Sequence, residues 1–459
     1  MEESSENIGT SSVSYATTAQ KISELLNDDP DFDLELEKWL YAQPFYYSEL
    51  VCFSKDELPT LIHLVRLCTL FPKDYDLDIE HIVQLFSAQT GAFWRNKFED
   101  LVNRWFYALL SKQLLQPSYF GSHLRYKLNE HVCDVVEKNY FSRTYKMHPR
   151  AEDYVGTSYL QQISHRMEKI NDYLISTKKR YVLVEDNINA SCFSKSTRHA
   201  SLLLSSSSPD NNVSSMVEIL QVISNTCPYL QSLMVLGINR SLINQIPSEL
   251  CLKLKSLIVL DLSYTSITEL PSSFANLKSL RYLDVSGTLI TQLPNAICYF
   301  HHMQTLKLRD CLKLIKLPNE ICRLDGLIHL DLNIAYQLSS MPPGLGNLTK
   351  LQTLPAFIVG KEAGCSIGEL KHMTDLRGDL CILRLENVHQ DAKKAALSQK
   401  MYIEKLELQW TDSQDGFKVL GASNLIQTSK NCGLWDTREQ SSLAGWRSLL
   451  QQFEVYNSV

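Results

Sequence analysis

Leu257-Ile-Val-Leu260-Asp-Leu262, Leu280-Arg-Tyr-Leu283-Asp-Val285 and Leu327-Ile-His-Leu330-Asp-Leu332 are three copies of one phrase, and weaker copies begin at Leu233, Met303 and Leu351. The six starts are separated by 24, 23, 23, 24 and 24 residues. A second beat keeps step with the first. An apolar residue followed by proline recurs at Ile246-Pro247, Leu270-Pro271, Leu293-Pro294, Leu317-Pro318 and Met341-Pro342. Two independent features locked to one period mark a repeat array.

The spacing sets the geometry. In L-x-x-L-x-L the last two leucines are two residues apart, so they share one face of a short strand. The proline has no N–H to give to a ladder and suits a convex return segment. One repeat cannot bury its leucines alone, so stacked repeats form a continuous ladder over a continuous apolar spine. The pattern predicts an α/β fold class, a leucine-rich repeat solenoid of short parallel strands with a concave face. That face would carry the outward strand positions Val259, Asp261 and Ser263, Tyr282, Asp284 and Ser286, Thr305, Lys307 and Arg309, and His329, Asp331 and Asn333. From these, Asp261, Tyr282, Asp284, Thr305, Lys307, Arg309, His329, Asp331 and Asn333 are expected to contact a protein partner, because acid, base and aromatic side chains together suit selective contact. The plainer alternative makes Asp261, Asp284 and Asp331 solvated strand residues. Their alignment costs stability unless a basic partner or the Lys307 strand offsets it.

Composition narrows the function classes. Apolar residues make up 44% and charged residues 21% of the 459 positions, ordinary values for a globular protein. A net charge of -6 lacks the basic face that nucleic-acid binding needs, so no nucleic-acid partner is expected. The twelve cysteines show no C-x-x-C pair and read as reduced core residues. The polar start MEESSENIGTSS has no apolar h-region, and no stretch reaches the length of a membrane span, so a cytoplasmic location is expected. No G-x-S-x-G, H-E-x-x-H, EF-hand or G-x-G-x-x-G occurs, His301-His302 reads as plain surface, and no catalytic or metal site is expected.

Along the chain, residues 1–43 are polar and acidic and read as disordered. Residues 44–140 carry helical patterns. An apolar run opens at Leu58-Pro59, Asp78 precedes Ile79–Ala88 as an N-cap, a longer helix spans about Trp94 to Leu115, and Leu124–Leu128 is strand-like. The last helix of this stretch would carry Val132, Val135 and Val136. Several helices with a small wing predict a winged-helix domain. Residues 141–230 link it to the repeats through a helix at Tyr154–Leu174, a strand at Tyr181–Glu185 and the phrase Thr197-Arg-His-Ala-Ser-Leu202. Repeats occupy 231–410, and 411–459 is a tail without the period, leaving the apolar spine open at Trp410 and solubility marginal.

Cys68-Thr-Leu-Phe-Pro72 and Leu85-Phe-Ser-Ala-Gln89, in the order winged helix, linker, repeats, resemble the plant NB-LRR disease-resistance proteins over roughly 45–140 and 195–410. The resemblance implies that the first domain is the winged-helix part of a nucleotide-binding module, and that the repeats recognise a pathogen effector or a guarded host protein. Where the family has a phosphate-sensing histidine, this chain has Asn129, between Leu128 and Glu130. Asn donates a hydrogen bond but carries no charge. No G-x-x-x-x-G-K-[ST] occurs, so no cofactor is expected, with ADP or ATP entering only if a nucleotide-binding core is supplied elsewhere. The sequence therefore predicts a truncated, non-enzymatic resistance-like protein. It would act by protein recognition, as a decoy or a regulator of a full-length receptor, or not act at all, as a decayed relic. An ADP- or ATP-binding switch and a ubiquitin-ligase adaptor are the alternatives.

Overall fold

The computed structural model describes residues 58–72, 75–90, 110, 115–120, 123–128, 180–185, 192–204, 213–237, 243–332, 338, 340–388, 392–412, 416–423 and 434–435. Asn129, Glu130 and Asn333 lie outside these residues, as do the expected helices around Val132 and over Tyr154–Leu174 and most of the one from Trp94. The chain divides into two compact units, Met1–Leu203 with Tyr229–Ser232, and Leu204–Pro228 with Leu233–Val459.

In the first unit, α1 (Leu58–Cys68) and α2 (Ile79–Thr90) follow the apolar runs. Asp78 caps α2, its Oδ1 accepting the Glu80 N–H at 3.0 Å, and it also pairs with Arg125. Arg125 belongs to an antiparallel hairpin of β1 (Leu115–Phe120) and β2 (His123–Leu128). Leu115, expected at the end of a helix, opens β1 instead and pairs with Leu128. Leu77 adds a third short pairing through reciprocal backbone bonds with Tyr126 at 2.7 and 3.0 Å. Cys68, Leu70 and Phe71 of the Cys-Thr-Leu-Phe-Pro stretch are buried, as are Leu85, Phe86 and Ala88. β3 (Tyr181–Glu185) and β4 (His199–Leu204) run parallel in register.

The second unit opens with α3 (Val213–Thr226), whose Leu220 and Ile223 are buried. The repeats follow, with β5 (Ser232–Gly237), β6 (Val259–Asp261), β7 (Tyr282–Asp284), β8 (Thr305–Lys307) and β9 (His329–Asp331) side by side in chain order. Pairing from β6 to β9 is parallel, joining Leu260, Leu283, Leu306 and Leu330 across the ladder. These leucines and those that open and close each phrase are almost wholly buried.

Proline sets the return. Pro247 stands at the N-cap of α4 (Ser248–Lys253), and Pro271, Pro294 and Pro318 stand at the N-caps of 3₁₀ turns. In the second repeat the Pro271 carbonyl accepts from Phe274 N–H at 2.9 Å, Phe274 carbonyl from Leu277 at 3.0 Å, and Leu277 carbonyl from Leu280 at 3.1 Å. A 3₁₀ turn has three residues, so apolar side chains three apart all face inward. Phe274 and Phe300 meet there across neighbouring repeats, ring centroids 5.7 Å apart. The residue two past the last phrase position is left-handed in three successive repeats, at Tyr264 (φ 58°), Gly287 (φ 68°) and Asp310 (φ 56°).

A second sheet joins β10 (Ala356–Ile358), β11 (Arg377–Leu383) and β12 (Tyr402–Asp412) in parallel. β13 (Gly416–Ser423) then pairs antiparallel along β12 from Lys405 to Asp412, and β14 (Leu434–Trp435) pairs with β13. The strand containing Trp410 is therefore not an open end. Its backbone groups bond to a returning chain, so it is not an edge of the sheet.

Candidate functional site

The ladder register puts equal positions of successive repeats beside one another. Val259, Tyr282, Thr305 and His329 form one row, and Asp261, Asp284, Lys307 and Asp331 the next. The expected open surface is largely not there. Tyr282 is 0% exposed, Asp261 1%, Asp284 5% and Asp331 6%, and Thr305 and His329 are also buried. Lys307 is half-buried and Arg309 is exposed. Parallel strands lie about 4.8 Å apart, so each side chain in a row is flanked by two others. Counting strand residues as simply in or out misses that lateral packing.

The aspartates are structural, although not as solvated residues. Asp261 Oδ1 accepts the Ser263 N–H and Asp284 Oδ1 the Ser286 N–H, both at 2.9 Å. Each side chain turns the chain out of its strand. Thr265 and Thr288 reinforce the same bend, their hydroxyls donating to the Leu262 and Val285 carbonyls at 2.7 Å. Burial, with the Asp284 charge next to it, pushes the Asp261 carboxyl up to about 7. Burial also raises Asp284. Lys307 partly offsets this from its place between Asp284 and Asp331 in the ladder, its ammonium 5.7 Å from the Tyr282 ring centre. The Tyr282 hydroxyl donates to Asp284 Oδ2 at 3.3 Å, and burial beside that carboxylate holds the phenol well above its usual range. His329 sits 2.8 Å from Thr353 Oγ1, and burial with Lys307 and Arg377 nearby lowers it to about 3. It is a neutral core residue.

Arg309 is the reachable member of the expected set. Its Nε donates to Asp331 Oδ1 at 2.7 Å while its side chain stays 57% exposed. Beside it lie residues the phrase does not mark. Tyr264 is 43% exposed, Leu312 54% and Ile315 56%, with Lys313 and Lys316 exposed around them. The available signal was that Leu312 and Ile315 are aliphatic at positions the apolar spine does not use.

In the first unit, Leu128 ends β2 and is buried. The Thr197-Arg-His199 phrase earns its place structurally. Thr197 Oγ1 accepts the Ser194 N–H at 3.1 Å, and the Arg198 carbonyl accepts Gln231 and Ser232 N–H groups at 2.7 and 3.0 Å. His199 stacks on Tyr181 with centroids 4.4 Å apart and lies 3.0 Å from Ser232 Oγ. Gln89 Nε2 donates to that same oxygen at 2.9 Å, and Tyr181 Oη is 2.7 Å from His63 Nδ1. Burial, with Arg66 close by, lowers His63 to about 4, and burial, with His63 and Arg198 close by, holds His199 well below its usual range. Both rings are held neutral. The described cysteines are free and mostly buried, and burial pushes Cys251, Cys298 and Cys311 up to about 11, far from reactive thiolates. No helix among the described residues is long and apolar enough to cross a membrane.

A profile described as a leucine-rich repeat region matches residues 275–452, and one described as leucine rich repeat matches 231–290. Three proteins of Solanum bulbocastanum described as disease resistance proteins are similar. RGA1 is 43% identical over 75 residues, RGA4 39% over 107 and RGA2 40% over 113. These stretches cover 16%, 23% and 24% of this chain but only 8%, 11% and 12% of those relatives. Among solved structures, the leucine-rich repeat protein LIC12759 of Leptospira interrogans is 16% identical with a TM-score of 0.27, over 48% of this chain and 73% of that chain. With its period and its parallel ladder the chain carries a leucine-rich repeat solenoid, and stretches of it are similar to plant proteins described as disease resistance proteins.

Proposed function

We propose that the chain is a non-enzymatic recognition protein of plant defence, acting in the cytoplasm by binding another protein through its repeats and using no nucleotide of its own. A pathogen effector, a guarded host protein or a full-length receptor is the partner class. The observation that carries this reading is the repeat ladder itself, beside the likeness to proteins described as disease resistance proteins. A stacked ladder presents a broad fixed surface and carries no chemistry of its own. The sequence also lacks a Gly-rich phosphate cradle, which supports a role without bound nucleotide. The segment over 58–128 is read as a winged-helix piece, on its helices and its hairpin with the Leu77 pairing.

Co-purification with the tagged full chain from plant tissue tests the reading. A discrete retained protein, with no rise in melting temperature on adding ADP or ATP, is the expected result. A thermal shift at micromolar ADP with nothing retained overturns it in favour of a nucleotide switch.

A further inference from the structure

We propose that the rim formed by Tyr264, Arg309, Leu312, Lys313, Ile315 and Lys316 is the recognition surface of the repeats, and that its partner presents a segment in which acidic and apolar side chains alternate. The inference rests on the protein-recognition reading above and names the surface and the partner chemistry.

Backbone bonds fix the chain at four of these residues. Tyr264 N–H donates to the Ser286 carbonyl at 2.6 Å, and Gly287 N–H to the Arg309 carbonyl at 2.7 Å. Leu312 N–H donates to the Asp310 carbonyl at 2.9 Å, and Ile315 N–H to the Thr291 carbonyl at 3.0 Å. The rim therefore runs across successive repeats on fixed backbone, and little of it must be ordered on binding.

Three features mark the rim. The first is Tyr264. Left-handed backbone suits the glycine at 287, whereas a tyrosine adopts it only with strain. The chain keeps it and makes room for its ring, because a Cβ on Gly287 would lie 2.5 Å from Tyr264 Cδ1. Nearly half of that ring faces solvent. The second is the pair Leu312 and Ile315, each more than half exposed. At the position of Ile315, two before the apolar–proline pair, the two preceding repeats have Thr268 and Thr291. The third is Arg309, whose Nε is pinned by buried Asp331 with most of its side chain still in solvent. A guanidinium oriented in advance loses less freedom when it meets a carboxylate.

Charge complementarity selects the occupant. Between positions 309 and 316 stand the exposed cations Arg309, Lys313 and Lys316 against one acid, the half-buried Asp310. The two lysines adjoin the two exposed aliphatic residues in sequence, so a partner covering Leu312 and Ile315 must offer acids beside its apolar groups. Tyrosine and arginine are also the residue types that most often dominate protein interfaces.

The test uses the full chain and a short fluorescent peptide alternating glutamate with leucine, read by anisotropy. Two control peptides alternate glutamate with serine and lysine with leucine. The glutamate–leucine peptide is expected to bind with micromolar affinity and each control about tenfold or more weakly. Leu312→Ser with Ile315→Ser, and separately Lys313→Glu with Lys316→Glu, should each lose about tenfold with unchanged melting temperature, since all four side chains are exposed. Equal binding of the glutamate–serine peptide, no binding of the glutamate–leucine peptide, or indifference to both double variants overturns the proposal. So does retention on phosphatidylserine vesicles that the lysine swap abolishes, which would assign the patch to a membrane surface. If a tissue protein is retained equally by the native chain and the Lys313→Glu, Lys316→Glu chain, this proposal fails while protein recognition stands. If no peptide binds and no protein is retained, both fail.

Discussion

Lys400→Met is expected to lower the unfolding free energy of the repeat unit by about 1–3 kcal/mol, the cost of a buried carbonyl losing its donor. Lys400 is 0% exposed, and its ammonium donates to the Leu370 and Met373 carbonyls at 2.6 and 2.8 Å. The Leu370 carbonyl also accepts the Met373 N–H at 3.1 Å, closing the 3₁₀ segment Ile367–His372, so it is the Met373 carbonyl, at the C-cap, that depends on the ammonium. Methionine fills the space of the stem and donates nothing. One effect runs the other way. Burial lowers Lys400 to about 8, so its charge is held at a cost that methionine removes. The unfolded lysine keeps its proton up to about 10.4, so between about pH 8 and that value the unfolded state binds more protons and native stability rises with pH. Urea unfolding of the native and Lys400→Met chains at neutral pH measures the difference. An unchanged midpoint would mean that water, and not Lys400, satisfies the Met373 carbonyl.

Asp261→Asn should stabilise the chain above neutral pH and change little in acid. Asn keeps an oxygen to accept the Ser263 N–H, so the bend at the strand end survives. It removes the carboxyl that burial and Asp284 raise to about 7. An unfolded aspartate loses its proton near 3.9, so between about pH 4 and about pH 7 the folded native chain binds more protons, and its stability falls as pH rises. The variant lacks that fall. Its advantage should grow across this window and level off above it, at a size on the order of 2–4 kcal/mol. Paired denaturation curves at about pH 5 and about pH 8 give the comparison. Equal differences at both values would show that Asp261 enters the fold already ionised.

The leucines and prolines spelled out the solenoid because each repeat must bury the same positions, and a 23–24-residue period survives weak copies such as the one beginning at Met303. Asp78 capping α2 and the strand Tyr181–Glu185 were equally legible, since both depend on neighbours in sequence. What depends on other repeats was not. The burial of Tyr282 and Asp284 comes from a register that sets like positions side by side, and no single strand contains that information. Lys400 looks like any surface lysine until residues 370 and 373 are brought to it. The return of β13 along β12 had a signal, Asp415-Gly416, which is common at tight hairpins, but the lost period drew attention away from it. Among the described expected contact residues, Arg309 alone is both exposed and anchored.

Recognition of a protein through the repeat rim is the central claim, and site-specific photo-crosslinking reads it most directly. A photoreactive residue at Leu312 in the full chain, exposed to plant tissue extract, is compared with one at Asn319, an exposed position in the 3₁₀ turn of the return segment. The expected result is one discrete protein crosslinked from position 312 and absent from position 319. Equal labelling from both positions, or none from 312 while the chain stays folded, would contradict it.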